Sequence, residues 1–298
     1  MGSAREWNYP ARMVDHRVLS LFAILPLCGS CGDGDSSVAP KQAPQPNTPA
    51  QPANPAGQPE TPKSETEPVA ESEPAVKLSP WVGKIDPEVV GTVKGVVRFS
   101  GTAPKRIPIA ITVTGCNAHA EPPLSETVIV EDGRLANVFV TITRGLEKVE
   151  LPPAASEPVR LEQDGCVYRP HVLGMRTGQT LLIANADKVT HNVNVRESKN
   201  AIFNQVQAAG SPALEWKPQK RELGVGFGCD LHPWMKAWIC VEEHPFWAIT
   251  GKDGAFSMQG LPPGPYTIEA WHEKYGKETK KITLTARGEA VLDLVFEP

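Results

Sequence analysis

The chain has 298 residues, a formal net charge of −4 at pH 7 and an aromatic content of 6%. Its slightly acidic balance lacks the basic face that a nucleic-acid partner requires. The length allows one large or two ordinary domains.

Residues 1–31 read as an export signal. Arg12 and Arg17 provide a positive opening, and Leu19 to Leu27 is an apolar run. That run is too short to span a bilayer, which needs about twenty residues. Met1 or Met13 can serve as the start, and the Met13 reading gives the more ordinary signal opening. The run ends in Cys28-Gly29-Ser30-Cys31. A Cys preceded by small residues at this place resembles a bacterial lipoprotein signal, with Cys31 as the lipid-bearing first mature residue. The pattern departs at the third position before Cys31, where Cys28 stands. A plain cleaved signal without lipid is the alternative. Either form implies export to the bacterial cell envelope; the lipid form implies anchoring to a membrane in the periplasm or at the outer membrane.

Residues 32–86 form a linker. Eleven prolines fall from Asp33 to Pro80, and this stretch holds no aromatic residue until Trp81. Such a stretch buries too little apolar surface to offset the entropy of ordering, so it is expected to be a disordered, extended tether.

From about Pro87 the pattern is β throughout. Thr92–Phe99 and Ala136–Thr143 alternate, and shorter β-rich runs occur at Ile109–Thr114, Glu126–Val130, Thr180–Asn185, His191–Arg196, Trp238–Val241, Tyr266–Trp271, Lys281–Thr285 and Ala290–Phe296. Gly, Pro, Asn and Asp punctuate them, as in β-sandwiches, and no sustained 3.6-residue period predicts a long helix. The expected fold class is all-β.

The residues with metal chemistry are concentrated. Cys229-Asp-Leu-His232-Pro-Trp-Met235 places a thiolate, an imidazole and a thioether in one loop, and His191 lies on a strand-like segment upstream. Two His, one Cys and a weak Met form the ligand set of a type 1 copper electron-transfer site. A Cys/His₂ set also suits zinc with an open fourth position, although Met is a poor zinc ligand and copper outcompetes zinc at comparable sites.

The surrounding sequence resembles the cupredoxins. Tyr168 to Asp187 is similar to the family's F-x-P-x-x-L-x-V-x-x-G-x-x-V-x-x-x-N-x-D signature. Val189–Val195 is similar to its first-ligand strand, Gly224–Cys229 to the strand entering the ligand loop, and Trp238–Val241 to the strand leaving it. The short C-x-x-H-P-x-M loop is most similar to that of amicyanin. The resemblance covers about 85 residues. It implies one type 1 copper held by His191, Cys229, His232 and the distant axial Met235, with Asn192 tying the two ligand segments together. It also implies that the His232 ring edge reaches the surface, beside Pro233 and Trp234, as an electron port; simple packing is the other reading of Trp234. Copper storage or delivery, and a metal-free module, are the alternatives at this site. No catalytic nucleophile or acid pair is recognisable, so the chain is not expected to be an enzyme.

The C-terminal part carries a second pattern. Ala248–Phe256 reads as a hairpin with Asp253-Gly254 at its turn, and Gly260–Ile268 as a Pro/Gly corner leading into a strand. Together they resemble the carboxypeptidase regulatory-like, or transthyretin-like, β-sandwich. Its opening strands fit Gly91–Phe99 and Ala136–Thr143. The expected organisation is therefore a Greek-key cupredoxin sandwich (156–243) inserted into a transthyretin-like, carbohydrate-binding-like sandwich formed by 87–155 and 244–298. Insertion is tolerated where the inserted termini lie close together. Three beads in a row is the alternative.

His171 does not fall at a ligand position of the resemblance. His119, His244 and His272 read as polar packing residues, though a second metal site from them is conceivable. With Cys31 on lipid and Cys229 on copper, Cys116, Cys166 and Cys240 remain, which in an oxidising compartment suggests one disulfide and one thiol. Cys240 lies in an alternating strand as a small buried hydrophobe. Cys116 and Cys166 lie in loop-like contexts and are the expected pair. Three functions follow: an anchored carrier exchanging electrons with redox proteins outside the cytoplasm, an envelope protein whose outer sandwich binds polysaccharide or protein, or a copper store.

Overall fold

The computed structural model describes residues 82–116 and 119–298. The signal 1–31, its Cys31 and the linker up to Trp81 lie outside the described residues. The end of the expected linker is paired: Gly83–Lys84 runs parallel to Val149–Glu150. Every helical or extended element among the described residues is a strand.

Strands between Val159 and Glu242 pair only among themselves, in two sheets. One has the order Leu214–Trp216, Leu181–Asn185, Val159–Gln163, Tyr168–Arg169. The other has the order Phe203–Gln207, His191–Val195, Glu222–Gly228, Lys236–Glu242, Val172–Arg176. Leu161, Leu181, Ile183, Val193, Trp216, Val225, Phe227 and Ile239 form a common core between the two sheets, and His191–Val195 is buried along its whole length.

The flanking segments build a second sandwich. Phe139–Arg144 lies between Trp247–Ile249 and Gly264–His272, and Gly276–Leu284 completes that sheet. Gly91–Phe99 pairs with Ala255–Leu261 and with Arg134–Leu135 in the other. Its pairing partner also changes along its length, from Glu289–Val291 to Leu294–Phe296. Gly95 sits at the change. A Cβ there would lie 1.8 Å from the Leu292 carbonyl oxygen, so only glycine permits the crossing. Gly264–His272 alternates strictly, burying Tyr266, Ile268, Ala270 and His272.

Two sequence expectations are corrected here. Residues 248–256 are not a hairpin, because Trp247–Ile249 and Ala255–Leu261 belong to different sheets. Thr250 hooks the crossing in place: its hydroxyl donates to the Leu135 carbonyl at 2.8 Å and accepts the Val138 N–H at 3.0 Å. Nor is Ile109–Thr114 a strand. The region between Ser100 and Val128 has one isolated bridge, Pro108 to Leu124. Pro104, Pro108, Pro122 and Pro123 interrupt it with positions that cannot donate to a ladder.

The two sandwiches meet through indoles seated on glycines. A Cβ on Gly174 would lie 2.5 Å from the Trp247 ring, and one on Gly224 would lie 2.3 Å from Trp271. Trp247 also stacks on Phe139, with centroids 5.3 Å apart. Arg221 grips the fully buried Glu242 with two bonds of 2.8 and 2.9 Å, and Thr141 of the second sandwich donates to the same carboxylate at 2.9 Å. His171 pairs with Glu273 across the same junction.

Candidate metal centre

Three donor atoms converge at one end of the sandwich formed by the strands between Val159 and Glu242. His191 opens its strand, Cys229 directly follows the strand Glu222–Gly228, and His232 lies in the loop that turns into Lys236–Glu242. His191 Nδ1 is 2.9 Å from His232 Nδ1 and 3.9 Å from Cys229 Sγ; His232 Nδ1 is 3.6 Å from the same sulfur. All three residues are buried, at 0%, 4% and 4% exposure, and Met235 beside them is 1% exposed.

The donor set fits a metal of the expected kind. Bonds of about 2.0 Å to nitrogen and about 2.3 Å to sulfur in a trigonal plane require N···S edges of about 3.7 Å. The two observed edges bracket that value; the N···N edge is shorter than such a plane needs. The tautomer also fits. His191 Nε2 lies 2.9 Å from Asp187 Oδ2, an acceptor, so its proton belongs there and Nδ1 presents a lone pair inward. Burial, and then the neighbouring His191, hold the His232 imidazole below its ordinary value, which favours the neutral ring with one nitrogen lone pair open to a metal.

Asn192 joins the two ligand segments. Its Oδ1 accepts from the Asp230 N–H at 2.7 Å, the Leu231 N–H at 3.3 Å and the Cys229 thiol at 3.3 Å. The Cys229 sulfur is therefore oriented from the strand that carries His191. A β-strand places Asn192 on the face opposite His191, which is why one short segment can both ligate and brace.

Sequence reasoning missed two acidic residues. Asp187 accepts the Gly165 N–H at 2.7 Å and the Cys166 N–H at 2.9 Å, besides holding His191. Its place at the end of the Asn185-Ala-Asp187 motif was the available signal. Asp230 collects amides from Asn194, Asn204 and Asn192 and the guanidinium of Arg196. The bonds from Asn194 and Asn204 are the main reason its carboxyl is held down at about 2. Four partners scattered over residues 192–204 carry no spacing signature.

Cys116 and Cys166 form a disulfide. Cys240 is a buried free thiol, and burial pushes it far above its ordinary value. The expected surface port is corrected. His232 is buried because its Nε2 faces Cys116 Sγ at 3.5 Å. Trp234 is half-buried, and its indole N–H donates to the Cys166 carbonyl at 2.9 Å while its ring lies 5.3 Å from that of His232. Pro233 remains exposed, as does Leu231. A groove of about 890 Å³ runs beside the centre, bordered by Phe227, Cys229, Pro233, Met235 and Trp238 but by neither ligand histidine.

The remaining histidines sit apart from the triad. His119 Nε2 contacts the Gly165 carbonyl at 2.7 Å, and His244 Nε2 contacts that of Ile142 at 2.8 Å. His272 Nδ1 accepts from the Lys274 N–H at 3.2 Å. The metal-capable groups among the described residues draw on Cys116, Cys166, Asp187, His191, Cys229 and His232, and none includes these three histidines.

No family model and no curated protein matches the chain. Solved structures do. The Cu-containing nitrite reductase from Thermus scotoductus SA-01 is 23% identical, over 35% of this chain and 25% of its own length, with a TM-score of 0.27. A purple cupredoxin from Nitrosopumilus maritimus is 20% identical over 28% of this chain and 99% of its own, with a TM-score of 0.25. An amicyanin variant in its Cu(I) form is 19% identical over 35% and 98%, with a TM-score of 0.26. These neighbours are cupredoxins, and the chain spans only a quarter of the reductase.

Proposed function

We propose that this protein is a type 1 copper electron carrier that works outside the cytoplasm, tethered to a membrane through a lipid on Cys31. The observation that carries the reading is the convergence of His191 Nδ1, Cys229 Sγ and His232 Nδ1, with the Asp187 bond fixing the His191 tautomer. A copper ion bound there would supply one-electron redox chemistry. The chain's own contribution is rigidity. Asn192 braces the sulfur, Asp187 braces the imidazole, and the buried Met235 would lend its thioether as a fourth, weaker donor. Little then has to rearrange between oxidation states.

In this reading the region 156–243 is a cupredoxin set into a transthyretin-like sandwich, and the strand pairing described above supports it. Redox partners dock on the exposed Leu231 and Pro233 and the adjoining groove, rather than on the buried His232 edge. The outer sandwich acts as a rigid base, through the Trp247 and Trp271 contacts, rather than as a binder of polysaccharide.

The test is an optical and electron-paramagnetic spectrum of the full chain loaded with Cu(II). One copper per chain, with intense visible absorption and a narrow hyperfine pattern, is expected from thiolate ligation. A colourless protein holding one copper would overturn it.

A further inference from the structure

The His232 imidazole has a sulfur at each nitrogen. Its Nδ1 stands 3.6 Å from the free thiol of Cys229, and its Nε2 stands 3.5 Å from Cys116 Sγ of the disulfide. Cys229, Cys116 and Cys166 are all buried. A nucleophilic thiol and a disulfide thus flank opposite edges of a single aromatic ring. Thiol–disulfide exchange requires the attacking sulfur to touch a disulfide sulfur. A planar ring held between them prevents that contact.

We propose that His232 is a partition that keeps Cys229 from exchanging with the Cys116–Cys166 disulfide. The reaction it blocks is balanced within the chain. Cys229 gives up its proton and its sulfur bonds to Cys116 Sγ. The Cys116–Cys166 bond breaks, and Cys166 leaves as a thiolate and takes the proton. No electrons are gained or lost, and no outside reductant is consumed. The product, a Cys116–Cys229 disulfide with a Cys166 thiol, removes the only sulfur of the His191–Cys229–His232 triad.

The surroundings make this exchange feasible once the ring is gone. Cys166 is anchored independently, its N–H on Asp187 and its carbonyl on the Trp234 indole. Cys116 lies instead on the irregular segment before Val128, its N–H bonded locally to the Val113 carbonyl, with exposed neighbours Thr114 and Gly115. The sulfur under attack is therefore the one carried by a segment outside the strand ladders. The danger is greatest in an oxidising compartment, where the disulfide persists before any metal caps the thiol. The partition acts in the metal-free chain, so it stands whether or not the copper reading does.

The experiment uses the full chain, stripped of metal with a chelator and incubated without reductant, followed by non-reducing peptide mapping by mass spectrometry. The unaltered protein is expected to retain Cys116–Cys166. In His232→Gly, peptides linking Cys229 to Cys116 or Cys166 replace it as the main species, and added imidazole restores the native pairing. His191→Gly, which deletes another nitrogen of the triad but leaves the ring at 232, keeps the native pairing. His232→Gln, which retains bulk between the sulfurs, keeps it too. Cys240, fully buried on a core strand, reports the fold: its failure to react with an alkylating agent shows that a variant is intact. Native pairing in intact His232→Gly overturns the proposal, as does exchange in His191→Gly or His232→Gln.

Discussion

The strand pair Glu222–Gly228 and Lys236–Glu242 carries a buried polar cluster at each end, and the two are built on opposite rules. At one end Arg221 and Thr141 both direct donors onto the two oxygens of the Glu242 carboxylate. At the other, His191, Cys229 and His232 turn atoms with lone pairs toward one another. The first cluster is complete without any guest. The second gathers two ring nitrogens and a sulfur around one point, and burial holds His232 below its ordinary value, which is the arrangement a metal requires. Burial of charge or of histidine alone therefore does not mark a functional site; the direction of the donors and acceptors does.

The largest expected effect separates the ends by metal. Copper at about a thousand times its dissociation constant should stabilise the protein by about 4 kcal/mol, seen as a rise in Tm. Cys229→Ser should abolish this rise and the visible band, whereas Cys240→Ala should keep both. Equal losses in the two variants would erase the distinction between the sulfurs.

Glu242→Ala tests the other end. It strands Arg221 and the Thr141 hydroxyl at a buried junction, and a broken buried pair of this kind costs about 3 to 4 kcal/mol. Chemical denaturation should show that loss while the copper spectrum of the folded protein stays unchanged. A shifted spectrum would mean that the ends are coupled.

His272 gives a pH signature centred on the second sandwich. Burial, opposed by Glu273 and aided by His171 and Lys274, pushes its imidazole down to about 4. The folded state thus binds fewer protons than the unfolded state between about pH 6.5 and 4. Stability should fall by about 3 kcal/mol as pH drops through that window, and it should level off below it. His272→Gln should flatten the curve measured by denaturation across pH; an unchanged curve would assign the acid sensitivity elsewhere.

The smallest effect is the most local. Asn192→Ala frees the Asp230 and Leu231 N–H groups and the Cys229 sulfur from their shared acceptor, a loss of about 1 to 2 kcal/mol. Copper should still bind, with a shifted visible band. An unshifted band would remove Asn192 from the support of the thiolate.

Much of this was legible in order of locality. The strands Thr92–Phe99 and Ala136–Thr143 declared themselves by alternation, His191–Arg196 by its β-rich composition, and the thiolate, imidazole and thioether by their closeness in one loop. The β-rich composition of Ile109–Thr114 misled, because prolines on both sides deny it a partner. The supposed hairpin at 248–256 misled for a different reason. Asp253-Gly254 does specify a turn, but Thr250 and the pairing of its flanks decide that the turn joins two sheets. Asp187 and Asp230 were hidden, since a carboxylate that braces a distant segment leaves no periodic mark.

Sequence by itself determined the β class, the ligand types and the likeness of their spacing to a copper loop, because these depend on side-chain chemistry and short-range pattern. Only the tertiary structure decided that strands before residue 145 share sheets with strands after residue 246. It alone set the glycines of one sandwich under the indoles of the other, and the Cys116–Cys166 disulfide against the outer edge of His232. Those are contacts between segments far apart in the chain, set by shape and burial across packed sheets. The physical consequence is that the histidine expected at the surface lies inside, with a sulfur on either side.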